Sequence, residues 1–161
     1  MNYRLVDHRQ SEIASTFILD LCELSNGADE MIYGCVPNGE LGISIILSGE
    51  SYVEIGGRWG KQPPVSVYGL IKQRQFVRMS PHYREISIGF LPHIFQLFMK
   101  ESMSALVRNN GTDLNCLFNK YEVERLVSGL SASSNDTELM AEVTSFLRNQ
   151  LLLEKNDPRL S

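Results

Sequence analysis

A chain of 161 residues, 43% apolar and 21% charged, is sized and composed for one soluble globular domain with a substantial core. Its longest apolar runs, such as residues 43–47, are far too short to span a bilayer, and "MNYRLVDHRQ" has no apolar signal segment, so a cytoplasmic protein with no membrane partner is expected. The net charge of −4 is unevenly spread: residues 55–84 hold six basic side chains and no acid, while the remainder holds nine basic against nineteen acidic.

The six are Arg58, Lys61, Lys72, Arg74, Arg78 and Arg84. Either they coat the solvent face of strands, or they form an anion-attracting face or pocket. Arg74 and Arg78 lie four apart and so share one face of a strand. With no basic stripe on any predicted helix, direct DNA binding by this chain is not expected. Cys22, Cys35 and Cys116 are odd in number and hold no C-x-x-C pair, against a disulfide framework and a zinc site. Buried structural thiols are the simplest reading, with a redox contact between Cys22 and Cys35 as the alternative.

In chain order, the pattern is β up to about residue 90. "STFILDLCEL" alternates loosely with Phe17, Leu19 and Leu21 on one parity, and "MIYGCV" follows the Asn26-Gly27 turn. In "PNGELGISIILSG", Leu41, Ile43, Ile45 and Leu47 share one face while Gly42, Ser44 and Ile46 take the other, a period of two. "SYVEI" ends at the hairpin pair Gly56-Gly57, and "VSVYGL", "QFVRMS" and "REISIGF" complete about seven short strands, a sandwich or small barrel. After Phe90 the period becomes helical. Pro92 opens "LPHIFQLFMKESMSALVRN", a helix is predicted from Tyr121 to Leu130 with Gly129 near its end, and Asn135 with Glu138 has capping-box spacing for a last helix from Asp136 to Glu154.

Catalytic patterns are missing. His8, His82 and His93 do not make the His-x-His constellation of a metal-binding cupin. "GGRWG" lacks the Lys-Ser/Thr of a phosphate loop, and there is no Gly-x-Ser-x-Gly elbow. Among nineteen acids nothing singles out a carboxylate pair, so neither an enzyme, a metal nor a cofactor is expected. For binding, the polar-tipped strand residues Tyr33, Ser44, Tyr52 and Tyr68 are candidates where they turn inward. Trp59 either lids a barrel end or stacks on a ligand. With Arg74 and Arg78 these make the candidate ligand-binding site.

"VPNGELGISIIL", "VYGL" with "REISIGFLPHIFQLFM", and the closing "NDPRLS" resemble the N-terminal domains that precede AraC-type DNA-binding domains. The resemblance covers most of residues 30–161; one departure is Pro92-His93, where the family has Pro-Gly. It implies a single regulatory domain over 1–161: a cupin-like β-barrel or jelly roll to about residue 90, then helices over about 91–155. Residues 156–161 would start a linker to helix-turn-helix motifs that contact promoter DNA. It also implies effector sensing, with a small and anionic effector favoured by the basic segment, and a homodimer. A free-standing small-molecule-binding barrel and a cupin enzyme are the alternatives. Along the last helix, Met140, Val143, Leu147 and Leu151 form a stripe widened by Leu139 and Phe146. That second edge is expected either to pair two subunits about a two-fold axis or to pack against helices of its own chain.

Overall fold

The computed structural model describes residues 1–36, 39, 41–69, 73–90, 93 and 111–155, with backbone alone at residues 10 and 151–155. The helix expected from Pro92, the segment "NDPRLS", Lys72 and the side chain of Leu151 lie outside the described residues.

Ten strands are found among the described residues: β1 (Asn2–Leu5), β2 (Ile18–Ser25), β3 (Met31–Cys35), β4 (Leu41–Ser48), β5 (Ser51–Ile55), β6 (Arg58–Lys61), β7 (Val65–Tyr68), β8 (Gln75–Met79), β9 (Arg84–Phe90) and β10 (Thr112–Asp113). They form two antiparallel sheets, β1-β2-β9-β4-β7-β10 and β3-β8-β5-β6. Val53, Val77 and Met79 of the small sheet pack with Tyr83 and Ile46 beside the large one, so the sheets stack face to face. This is a cupin-like jelly roll with a helical part after it. The β5–β6 hairpin turns at Gly56-Gly57, both with positive φ, as their spacing predicts.

Among the described residues, three helices cover the outer face of the large sheet: α1 (Glu12–Phe17), α2 (Lys120–Ala132) and α3 (Asp136–Lys155). Residues 15–17, expected in a strand, are instead the end of α1. Ser11 caps that helix by accepting from the Ala14 N–H at 3.3 Å. A bulge between Ile18 and Asp20 then turns Leu19 outward while Ile18 and Leu21 are buried, which corrects the parity expected for Phe17, Leu19 and Leu21. α2 runs on past the predicted end at Leu130 to Ala132, capped by Ser133. At Gly129 a Cβ would sit 2.4 Å from the Glu142 carboxyl of α3, the end of a side chain that can turn aside. α3 opens as its spacing predicts: Asn135 Oδ1 accepts from the Glu138 N–H at 3.0 Å. Glu138 Oε2 accepts from the Ser134 N–H at 2.8 Å, one residue earlier than the usual reciprocal bond.

The main core lies between helices and large sheet. Leu41, Ile43 and Ile45 of β4 and Ile86, Ile88 and Phe90 of β9 meet Val123, Leu126 and Leu130 of α2 and the stripe of α3. Each such side chain contributes about 1.5–3 kcal/mol on burial. Leu139, Met140, Val143, Phe146 and Leu147 are all buried within the one chain, and Phe146 makes an edge-to-face contact with Phe118 at 5.6 Å. Within the single chain these five residues pack inside, as the second of the two readings of that stripe has it. At its N-terminal end α3 is also tied to the sheet, because Arg4 pairs with both Asp136 and Glu23, and Glu23 in turn pairs with Arg84. Burial pushes the Glu23 carboxyl up, but Arg84 and Arg4 outweigh it and hold the group below its ordinary value.

Candidate functional site

Because the apolar side of the large sheet faces the helices, its other side is the one turned into the sandwich. The strand registers set out that side in rows. Asp20, Gly89, Gly42 and Tyr68 lie side by side across β2, β9, β4 and β7; Cys22, Ser87, Ser44 and Ser66 form the next row; Leu24, Glu85 and Ile46 form the third. The first two rows hold eight positions and no aliphatic side chain. Their neighbours on the reverse face are Leu21, Ile88, Ile43 and Val67. A sandwich interior is ordinarily apolar. Here the usual polarity is reversed over most of one wall.

The polar groups there are organised around Glu85. Ser44 Oγ donates to its Oε1 at 2.6 Å and the Tyr83 hydroxyl donates to its Oε2 at 2.5 Å. Burial raises the Glu85 carboxyl above its ordinary value and outweighs these two hydrogen bonds, which favour the ionised form. Tyr83 is raised too, first by burial and then by Glu85 beside it. Tyr68 reaches across Gly42, where a Cβ would lie 2.2 Å from its hydroxyl, to a hydrogen bond of 3.1 Å with Ser87 Oγ. Only glycine leaves that path open. Asp20 is raised by burial against the opposing backbone N–H of Gly89, and Cys22 is pushed up to about 11, first by burial. Tyr33 projects from β3 into the same interior and is raised by burial. Ser66 is completely buried on this wall, and among the described residues its hydroxyl has no hydrogen-bond partner.

The residues chosen from sequence therefore divide. Tyr33, Ser44 and Tyr68 are brought together in the interior. Tyr52, Trp59, Arg74 and Arg78 are not: they stand on the outer face of the small sheet. The Arg78 guanidinium lies over the rings of Tyr52 (4.8 Å) and Trp59 (5.0 Å), and Arg74 lies over Phe76 (5.0 Å). Trp59, 37% exposed, stands on edge strand β6 with its ring on that stack. The basic face is thus an outer surface, and the pair that favoured an anionic effector does not line the interior.

Sequence reasoning missed Glu85, Tyr83, Ser87, Ser66 and Asp20. The signal was present in "REISIGF", where Glu85, Ser87 and Gly89 share a parity opposite Ile86, Ile88 and Phe90. Among the described residues no three His, Cys, Asp or Glu side chains are grouped to hold a metal ion. All three cysteines are free. A separate open cleft of about 440 Å³ runs along the outer side of α3 between Ser11 and Arg148, away from this network.

No family model matches the sequence, and no curated protein matches it. Solved structures similar in fold include the cupin_2 domain of an XRE-family transcriptional regulator from Enterobacter cloacae, at 14% identity and TM-score 0.41, covering 56% of this chain and 96% of that one. The AraC-like transcriptional activator CuxR is similar at 12% identity and TM-score 0.38, over 91% of this chain and 60% of that one. A predicted oxalate decarboxylase from Thermotoga maritima follows at 15% identity and TM-score 0.31, covering 45% and 64%.

Proposed function

We propose that this chain is the effector-sensing domain of an AraC-type transcription regulator, acting in the cytoplasm, and that its effector is a small molecule held between the two sheets. The observation that carries the binding reading is the inner wall of the large sheet. Eight adjoining positions on β2, β9, β4 and β7 are polar, glycine, tyrosine or cysteine; one of them is Ser66, whose hydroxyl has no partner among the described residues, and they lead to the buried Glu85 carboxyl. Stability alone favours aliphatic side chains there, as on the reverse face. The regulator reading is supported by the sequence resemblance of residues 30–161. Regulators of this kind contact promoter DNA through a separate helix-turn-helix domain. A homodimer belongs to the same reading, and it uses a face other than the buried stripe of α3.

A thermal-unfolding screen against small metabolites tests the binding reading. A ligand at a hundred times its Kd adds about 2.7 kcal/mol, which raises the midpoint of a domain this size by roughly 5–10 °C. The gain should disappear in Ser87→Ala with Ser44→Ala. A ligand that stabilises the wild type and this double variant equally well would place the site elsewhere and overturn the reading.

A further inference from the structure

We infer that the ligand of this interior is a small organic cation, an amine whose ammonium group is held by Glu85, and that anions are excluded from it. The inference rests on the proposed binding role and deepens it. Every charge on this wall is a carboxyl: Asp20 at the first row and Glu85 at the third. The titratable groups that face Glu85 from the elements around it are Tyr83 on its own side, Tyr33 and Cys35 on β3, Cys22 on β2 and Tyr68 on β7. None of them is a cation. Asp20 has His8 near its outer end, together with Tyr68 and Cys22. The guanidiniums of Arg74 and Arg78 are spent on ring faces on the far side of the small sheet.

A second and independent observation is Ser66. It pairs in register with Ser44 on the same wall, is fully buried, and its hydroxyl oxygen has no partner among the described residues. A hydroxyl so placed offers an acceptor for a ligand N–H, next to the serine that already donates to Glu85.

An isolated carboxylate is costly to bury unless a positive charge accompanies it. Without ligand, burial favours the protonated form of Glu85 and so lessens that cost. When an ammonium group enters, the carboxyl ionises, one proton passes to solvent, and a charge-assisted hydrogen bond forms. The electron-rich faces of Tyr33, Tyr68 and Tyr83 suit a cation as well. On this wall an anion would meet the carboxyls of Asp20 and Glu85, with no cation among the described groups that face Glu85.

The test uses three probes with one carbon skeleton and different heads: butylammonium chloride, butanol with sodium chloride, and sodium butyrate. Binding to the whole chain is read by thermal unfolding and by calorimetry in two buffers of different ionisation enthalpy. The inference expects butylammonium to stabilise where the other two do not, with tighter binding at pH 8 than at pH 6 and a proton released to the buffer. Glu85→Gln should weaken it by about tenfold or more, as for loss of a bond to a charged group. Ser66→Ala, a smaller change, is the second variant and should also weaken it, while Arg74→Gln with Arg78→Gln should not. Binding of butyrate or butanol that is lost in the Ser44→Ala, Ser87→Ala double variant overturns the cation assignment and leaves the interior site standing. Binding of butylammonium with no proton release and no response to Glu85→Gln overturns it too. No stabilisation by any of the three also overturns it, and the metabolite screen then decides on the site itself.

Discussion

Ser44 on β4 and Glu85 on β9 meet at 2.6 Å inside the sandwich, on the side of each strand that alternation alone assigns to solvent. This pairing has a measurable thermodynamic consequence. Glu85 has a raised value in the fold, so the native state keeps a proton that the unfolded chain releases above the ordinary glutamate range. The contribution is therefore favourable at low pH and is lost as pH rises through the raised value. Urea unfolding at pH 5 and pH 8 should show the wild type losing stability relative to Glu85→Gln on going up. Equal differences at both pH values would mean that Glu85 titrates normally.

Gly42 permits the Tyr68–Ser87 contact. Gly42→Ala would put a methyl group 2.2 Å from the Tyr68 hydroxyl and 2.5 Å from the Ile88 carbonyl. Removing the tyrosine clears only one of these. The expected loss is about 1–3 kcal/mol, the range for overpacking, with partial recovery in Gly42→Ala combined with Tyr68→Ala. Denaturant midpoints of the three variants check this.

The α3 stripe makes a prediction about folding rather than assembly. Leu139 is 2% exposed within a single chain, so Leu139→Lys should destabilise the chain itself by about 3 kcal/mol or more. Val143→Ala, a truncation of a fully buried side chain, should cost about 1–3 kcal/mol. Circular dichroism melts with sedimentation separate the cases. A Leu139→Lys chain that keeps its melting temperature and only changes its mass would return this helix to an interface between subunits.

On the outer face of the small sheet, Arg78 stacks on two rings and Arg74 on one, both partly open to water. Replacing both with Gln should lower stability by about 0.5–2 kcal/mol through lost cation–π contacts. Affinity for an interior ligand should stay unchanged. A loss of ligand binding in this double variant would move the site to the outer face.

Local chemistry was readable wherever one residue type solves one local problem. The Gly56-Gly57 turn, the period of two along Leu41–Leu47 and the Asn135–Glu138 cap all follow from the residues at those positions. What could not be read was which side of a strand is inside. An apolar face alternating with Gly42, Ser44, Ser87 and Gly89 describes an antiparallel strand with one wet side. The deciding fact lies later in the chain, in α2 and α3, whose apolar stripes need the apolar side of the sheet and so leave the polar side to face the small sheet. Glu85 was hidden for the same reason, one acid among nineteen until the registers set it beside Ser44 and Tyr83. Tyr52 and Trp59 were misplaced because a tyrosine or tryptophan in a short strand suits either face equally well.

The most direct test of the interior site uses the tyrosines. Tyr33, Tyr68 and Tyr83 line it, whereas Tyr52 stands on the outer face of the small sheet and Tyr121 is exposed on α2. Ring-carbon NMR of tyrosine-labelled protein, titrated with the strongest stabiliser from the metabolite screen, reads both sets in one experiment. The account predicts shifts at Tyr33, Tyr68 and Tyr83 that saturate together while Tyr52 and Tyr121 stay fixed. Saturating shifts at Tyr52 or Tyr121, with the three interior rings unmoved, would contradict it.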